Sequence, residues 1–312
     1  MTVSSIKTGY DGISLLVGNA AYIPAVRALI LGGFNGSSVQ YNIVDYVDIN
    51  TLGNATDFGD LSSNRWGFGA CGSSTRALAA GGYEGGSNSN SNVIDYFTIA
   101  STGNATDFGD LTYSSASQNA ASNSTRGLFA GGYNGSGYNN NINYVTIATT
   151  GNATTFGTLA TGRGNIGGCA SPTRALFGGG DEGSGSNRIE YVTIDTTGNA
   201  IDFGDLTQAR NTIAACSSST RGVWGGGDNL NIIDYVTIAS TGNAIDFGDL
   251  TVTRSAPAGT SSPTRGIFSG GSGSINVIDY ITIATTGNAT DFGDLTQARG
   301  WLGSTSAGHG GL

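Results

Sequence analysis

Short runs rich in β-branched and aromatic residues alternate with Gly-rich segments along most of the chain. Runs such as "YVTIAS" are typical of β-strands, and the glycines between them are typical of tight turns. Four such strands can be placed in one stretch, as "RNTIAACSS", "TRGVWGGG", "IIDYVTIAST" and "NAIDFGDL". The pattern therefore predicts an all-β protein.

The same four-strand pattern returns six times. "TGNATDFGDL" stands at 102–111, and near-copies occur at 52–61, 150–159, 197–206, 241–250 and 286–295. The Phe residues of these copies are 50, 48, 47, 44 and 45 residues apart. A period in the forties is typical of propeller blades or helical repeats, and the β-branched composition favours the blades.

A hairpin is predicted within each repeat, between its third and fourth strands. Its turn would be Gly-Asn, with Gly at the first central position, as a type II′ turn requires. Pairing across Gly103-Asn104 would place Ile99 opposite Phe108 and Tyr96 opposite Leu111.

Only one segment of the repeat changes length. Between the paired glycines that end the second strand and the Tyr of the third strand there are 12, 13, 11, 10, 7 and 8 residues. Binding specificity is usually built on variable loops of a rigid scaffold, so this loop class is the predicted binding face, with its contacts on residues 34–43, 83–92, 133–141 and 181–188. The candidate binding residues are Tyr83, Glu84, Asn88, Tyr133, Asn134, Tyr138, Asn139, Asp181 and Glu182.

The chain resembles the Kelch-type β-propeller repeat over roughly residues 27–306. The resemblance is carried by the Tyr of strand three, an aromatic residue on strand four and six paired glycines: Gly32-Gly33, Gly81-Gly82, Gly131-Gly132, Gly179-Gly180, Gly226-Gly227 and Gly270-Gly271. It departs from that family in having Phe where Kelch repeats usually have Trp, and in a longer Tyr-to-aromatic spacing of 12 residues. The units are also similar to repeat arrays in phage and environmental viral sequences.

This resemblance implies a six-bladed Kelch-like β-propeller over residues 27–312, with four antiparallel strands in each blade. The C-terminal segment, about 299–306, would close the ring as the innermost strand of the first blade, because an unpaired edge invites association. Residues 1–26 would then pack on or outside the ring. The alternative is that residues 16–26 supply the closing strand.

Charge excludes several partners. The net charge is −9 and the chain has a single Lys, Lys7, so it lacks the basic surface that nucleic acids or anionic membranes require. No apolar run is long enough to span a bilayer, and the N-terminus does not resemble a signal peptide. We therefore expect a protein made in the cytoplasm that binds neither nucleic acid nor membrane.

The repeated arginines are the main candidates for chemistry. One interpretation is a ring of Arg that grips an anion in the channel; the favoured one is structural Arg–carboxylate pairing that ties the blades together. The repeat arginines of the second strand are Arg76, Arg126, Arg174, Arg221 and Arg265.

The other reactive residue types are few. Cys71, Cys169 and Cys216 occupy equivalent positions and are predicted to be free, buried thiols. His309 is the single His, so no catalytic residue, metal site or cofactor is predicted. Calcium binding by the "DFGD" turns stays open as an alternative.

The function expected from these features is a non-enzymatic structural or interaction module. The viral resemblance suggests a virion component, on the capsid surface or tail, whose loop face binds a protein partner. A carbohydrate-binding, lectin-like propeller is the alternative, in which the loop tyrosines and asparagines contact sugars. An enzyme with an anion site in the channel is the least favoured interpretation.

Overall fold

A computed structural model describes residues 26–85, 89–273 and 275–312. Within these ranges the chain forms 27 strands and no helix, in six four-stranded antiparallel sheets and one three-stranded sheet. Across the described ranges, no helix offers the length and apolar character needed to cross a membrane. Residues 1–25 lie outside the described residues. They include most of the N-terminal segment and most of the alternative closing strand at 16–26.

The six larger sheets repeat one order of four strands, and sheets one to six follow the order of the lists below. The first strands are β27 (Gly303–Ser306), β5 (Gly69–Gly72), β11 (Asn119–Ser122), β15 (Gly167–Ala170), β19 (Ala214–Ser217) and β23 (Ala258–Ser261). The second strands are β1 (Arg27–Phe34), β6 (Arg76–Ala80), β12 (Arg126–Ala130), β16 (Arg174–Gly178), β20 (Arg221–Gly225) and β24 (Arg265–Gly271). The third strands are β2 (Gln40–Asp48), β9 (Val93–Thr98), β13 (Asn141–Thr146), β17 (Arg188–Thr193), β21 (Leu230–Thr237) and β25 (Ile275–Thr282). The fourth strands are β3 (Thr56–Asp60), β10 (Thr106–Asp110), β14 (Thr154–Thr158), β18 (Ile201–Asp205), β22 (Ile245–Arg254) and β26 (Thr290–Asp294).

A small seventh sheet corrects the expected number of six. It consists of β4 (Arg65–Trp66), β7 (Tyr83–Glu84) and β8 (Ser89–Asn90). The physical reason is loop length, because the variable loop of sheet two is the longest of its class. It can fold back so that β7 pairs with β8 on one side and with β4 on the other.

The C-terminal strand completes the first sheet, as predicted. β27 runs antiparallel to β1, with Leu29 opposite Thr305 and Leu31 opposite Gly303. The Arg299 guanidinium also binds the Asp45 carboxylate in β2, with 3.1 Å between Nη1 and Oδ2. Residues from the two ends of the described chain therefore share one sheet.

The sheets pack in a continuous series. The first strands β5, β11, β15, β19, β23 and β27 contact one another in that order, and β27 contacts β5. Six hydrophobic clusters lie between successive sheets, and one of them joins Ile30 and Ile49 of sheet one to Ile267 and Phe292 of sheet six. This arrangement is compatible with a β-propeller.

The predicted Gly-Asn hairpin turn is wrong. Tyr96 lies opposite Thr106 rather than Leu111, so the "TGN" segment belongs to a longer connection between β9 and β10. Its backbone bonds to another sheet instead. Gly103 N donates to Phe58 O at 2.9 Å, and Ala105 N donates to Asp60 O at 2.7 Å.

We call this contact the latch, defined as the "GNA" segment of one repeat bound to the "FGD" or "FGT" segment of the preceding fourth strand. In each, the Asn side chain also accepts a hydrogen bond from the backbone N–H of the Asp or Thr. All six copies are engaged: 103–105 on 58–60, 151–153 on 108–110, 198–200 on 156–158, 242–244 on 203–205, 287–289 on 247–249 and 53–55 on 292–294. The latch occupies the outer edge of each fourth strand, which would otherwise offer unpaired backbone groups to another chain. The repeated segment "TGNATDFGDL" therefore contains both partners of the latch, because the "GNA" of each copy binds the "FGD" or "FGT" of the preceding copy.

Candidate functional site

The loop face is the end of the molecule where the loops between second and third strands meet the connections between sheets. Isolated bridges join the two sets of segments: Ala116 pairs with Tyr133, Gly164 with Asp181, and Phe34 with Gly300. Both sets of segments therefore emerge on the same side of the sheets.

Six equivalent residues form a rim at the centre of the loop face. They share a left-handed backbone conformation, with φ between 52° and 63°. Each backbone N–H donates to the carbonyl of the preceding rim residue, over 2.5 to 3.0 Å, and Gly67 N closes the cycle by donating to Trp301 O. The rim residues are Gly67, Ser117, Asn165, Thr212, Ala256 and Trp301.

An aromatic pocket of about 320 Å³ lies beside this rim. Its volume is within the range of small-molecule sites, which begins at roughly 300 Å³. The residues that line it come from connections and variable loops, and none of them carries a charge. They are Trp66, Tyr83, Ser117, Tyr133, Tyr138, Asn165 and Trp301.

The aromatic rings hold one another in place. Trp66 lies against Phe34, with ring centroids 5.2 Å apart and planes 19° apart, and against Tyr83, with centroids 4.4 Å apart. Trp301 meets Trp66 at 5.6 Å and 69°. Such stacked and edge-to-face pairs stabilise a fixed arrangement of rings. The wall of the pocket is thus formed before any ligand arrives.

Trp301 is strained within the rim. Its φ of 52° is common for Gly and tolerated by Asn, whereas a bulky side chain rarely adopts it. Such a conformation costs about 1–3 kcal/mol and concentrates at functional sites. Gly67 occupies the equivalent position without strain. The rim therefore does not need the indole, and the indole contributes to the pocket.

Polar groups in the pocket are available to a ligand. Among the described residues, the Asn165 carboxamide and the Trp301 indole N–H have no hydrogen-bond partner. The Tyr138 hydroxyl donates to Asp181 Oδ2 at 2.6 Å, and burial, with this carboxylate, raises the pKa of Tyr138. Burial also raises the pKa of Tyr83. Both phenols therefore stay neutral at physiological pH.

The structure brings together only part of the predicted binding set. Tyr83, Tyr133 and Tyr138 line the pocket. The other five described members serve the loops themselves. Asp181 accepts from Tyr138, Glu182 accepts from the Thr161 hydroxyl, Asn134 caps its own turn, Asn139 is buried against Gly132 and Ser115, and Glu84 is a strand residue of the small sheet. Asn88 lies outside the described residues.

Sequence reasoning missed Trp66, Trp301, Phe34 and Asn165. A signal was available, because the chain has only three Trp residues and two of them stand in connections where the other repeats have small or polar residues. The pocket lies where the variable loops meet the connections.

The arginines that precede the first strands form buried ion pairs. Five pairs join this Arg to the acid before the Tyr of the same sheet: Arg65–Asp95, Arg163–Glu190, Arg210–Asp234, Arg254–Asp279 and Arg299–Asp45. Burial lowers the pKa of each guanidinium, and its acid partner opposes this shift. Sheet three has neutral Ser115 and Asn143 instead. Each pair ties a connection to the sheet that follows it.

The second-strand arginines link neighbouring sheets. Arg76 lies 4.7 Å from the Tyr96 ring centroid and donates to Ile147 O in the next sheet, over 3.1 Å. Arg126, Arg174, Arg221 and Arg265 make the same two contacts, and Arg27 makes them in sheet one. These six guanidinium groups are therefore used in packing.

The C-terminal tail lies across one end of the channel between the first strands, with Gly311 against Ser122 and Gly310 against Ser217 and Ser218. A cavity of about 40 Å³ in this channel has room for only a few water molecules. His309 Nδ1 accepts from Gly311 N, so Nε2 carries the proton and donates to Gly72 O at 2.8 Å. The Ser122 hydroxyl, 3.3 Å from Nε2, also donates to Gly72 O. His309 therefore has no nitrogen free to accept a proton from Ser122.

The three cysteines line this channel as free, buried thiols, as predicted. Burial raises the pKa of Cys71 and of Cys169 to about 12. In the described ranges no three His, Cys, Asp or Glu side chains are grouped as metal ligands.

No protein-family model matches the chain, and no curated protein is significantly similar to it.

Proposed function

We propose that the chain is a six-bladed Kelch-like β-propeller that acts as a non-enzymatic binding module, with the aromatic pocket as its binding site. The six-bladed ring is supported by three closed series of contacts: the rim hydrogen bonds, the latches and the hydrophobic clusters between sheets. In this interpretation the small seventh sheet is formed by the variable loop of the second blade and is not a separate blade.

The observation that carries the proposal is the break in six-fold repetition at the pocket. The rim, the latches and the arginines repeat, as structural residues of a ring should. The aromatic rings of the pocket lie on one sector only, and Trp301 places an indole at a rim position where the other sheets have Gly, Ser, Asn, Thr or Ala. A large aromatic side chain at a rim position that does not require one supports a role in binding.

The proposal that the binding module is not an enzyme rests on the contacts that its charged side chains make. Eleven of the twelve arginines are held in buried pairs or in contacts between sheets, five acids are held in the same pairs, and His309 is held by backbone groups. A net charge of −9 with a single Lys argues against nucleic acid and anionic membranes as partners. The virion location and the cytoplasmic synthesis expected from the sequence stay predictions.

A matched pair of variants tests the binding site. Trp301→Gly removes the indole and places at the rim the residue that Gly67 shows to be compatible with it. Leu52→Ser changes an exposed residue on the opposite end of the molecule. Both variants and the unaltered chain would be screened against immobilised glycans and proline-rich peptides. We expect a binder that Trp301→Gly loses and Leu52→Ser retains, with similar melting temperatures for all three proteins. Binding that survives Trp301→Gly, or that Leu52→Ser abolishes, would refute the proposed site.

A further inference from the structure

We infer that the ligand of the aromatic pocket is a neutral hexopyranose unit of a glycan. This inference rests on the proposed function and specifies its ligand. It follows from the size of the pocket, its lack of charge and the polar groups it leaves unpaired.

The size of the pocket favours a compact ligand. Its volume is about 320 Å³, and the seven residues that line it are grouped at the rim. A proline-rich peptide extends by about 3.1 Å per residue and needs a long aromatic groove. A single sugar ring with one substituent fits a compact pocket better than an extended peptide does.

The charge of the pocket favours a neutral sugar over an acidic one. Recognition of a carboxylate generally uses Arg or Lys, and no lining residue is basic. The arginines of the adjacent connections, Arg65 and Arg163, are already paired with Asp95 and Glu190. Asp181, bound to the Tyr138 hydroxyl beside the pocket, would also repel an anionic ligand.

The polar groups match a ligand rich in hydroxyls. The Asn165 carboxamide can both donate and accept, and the Trp301 indole N–H can donate. These two residues stand on opposite sides of the rim and both line the pocket, so the pocket combines polar groups without a partner with aromatic surface. A pyranose offers the same combination, with C–H groups on its ring faces and hydroxyls around its edge. Ligand sites generally combine apolar walls with a few placed polar groups in this way.

Tryptophan fluorescence gives a direct readout, because two of the three tryptophans, Trp66 and Trp301, line the pocket and Trp224 is fully buried. The folded chain would be titrated with the methyl glycosides of glucose, galactose and mannose, with glucuronate and with an oligoproline peptide. We expect at least one neutral glycoside to change the emission saturably, and its affinity to exceed that of glucuronate at least about tenfold. Calorimetry would verify each affinity.

Two rim variants give the matched comparison. Asn165→Ala should weaken the best glycoside about tenfold or more, because one or two hydrogen bonds are lost. Thr212→Ala changes the equivalent rim position of the next sheet, which does not line the pocket, and should bind like the unaltered chain. Ala256 shows that Ala is compatible with this position.

Each other outcome has a defined meaning. Oligoproline binding that depends on Trp301, without sugar binding, would overturn the sugar inference and leave the proposed binding site intact. Glucuronate binding as tightly as the neutral sugars would overturn the neutral specificity. Sugar binding unaffected by Asn165→Ala and Trp301→Gly would place the sugar elsewhere and overturn both. A chain that binds none of these sugars refutes the inference.

Discussion

The Cys71 thiol occupies the space that a side chain on Gly127 of the next sheet would need, because a Cβ at Gly127 would lie 2.8 Å from Sγ. The same relationship joins Cys169 to Gly222 and Cys216 to Gly266. At the three other interfaces, Ala or Thr stands at the Cys position and Ala at the Gly position, in the pairs Ala121/Ala175, Thr260/Ala28 and Thr305/Ala77. At the four interfaces with Cys or Ala at the first position, the partner is therefore matched in size: Cys faces Gly and Ala faces Ala.

This size matching predicts a rescue. Gly127→Ala should destabilise the protein by about 1–3 kcal/mol through overpacking against Cys71. Combined with Cys71→Ala, which reproduces the Ala–Ala combination of sheets three and four, most of that loss should be recovered. Urea unfolding of the two single variants and the double variant measures the coupling. Additive effects would show that the two residues do not compete for space.

The buried thiols predict a loss of stability at high pH. Burial raises the pKa of Cys71 and Cys169 from 9.0 to about 12, so above pH 9 the unfolded chain releases protons that the folded chain retains. Their contribution is complete below pH 9 and is lost between pH 9 and 12, by about 1.4 kcal/mol per pH unit for each thiol. Urea unfolding from pH 7 to 10 would measure it. Cys71→Ala/Cys169→Ala should have a flatter profile above pH 9, and identical slopes would contradict the prediction.

The pair Arg299–Asp45 predicts unequal effects of one and two substitutions. Asp45→Asn should cost about 3–5 kcal/mol, because it leaves a buried guanidinium without its counter-charge. Adding Arg299→Ser reproduces Ser115 and Asn143 of sheet three, where Asn143 Oδ1 still accepts from Thr112 N and Oγ1. The double variant should therefore be more stable than Asp45→Asn alone. Thermal unfolding compares them, and a less stable double variant would mean that packing outweighs charge here.

The latches predict different losses of stability when their Asn and their Gly are replaced. Asn104→Ala removes the exposed hydrogen bond that Asp60 N donates to Asn104 Oδ1, and it should cost about 1 kcal/mol. Gly59→Ala should cost more, because its Cβ would overlap the Gly103 carbonyl and its φ is 149°. Thermal unfolding of both variants would rank them. Gly53→Ala is the control, since its Cβ meets open space at a similar φ of 152°. Equal losses of stability in Gly59→Ala and Gly53→Ala would show that backbone strain alone determines the loss.

The strands of this protein were predictable because they depend on local pattern. β-branched runs and paired glycines identified the four-strand unit, and the need to cover an unpaired edge favoured the C-terminal segment, about 299–306, as the partner of the first sheet. The latch was not predictable in the same way. "TGN" has the composition of a type II′ turn, but Gly103 N bonds to Phe58 O, 45 residues earlier. A contact between copies cannot be inferred from the sequence of one copy.

The candidate site was predictable in part for a related reason. The tyrosines Tyr83, Tyr133 and Tyr138 stood out because the variable loops did. Trp66 and Trp301 lie in connections of nearly constant length and are 235 residues apart in the chain. Closure of the first sheet by the C-terminal strand brings them within 5.6 Å. Their proximity depends on the pairing of β27 with β1.

The latch also has a consequence for how such a chain can be cut and extended. Every copy carries both halves of the contact, so any repeat can follow any other, and the joint at 53–55 and 292–294 is chemically the same as the five internal ones. The first sheet thus combines strands from both ends of the described residues, while the other sheets present equivalent joints. Circular permutants that begin at a different repeat would keep all six latches, and duplication of one unit in a gene would create a chain whose new joint already fits.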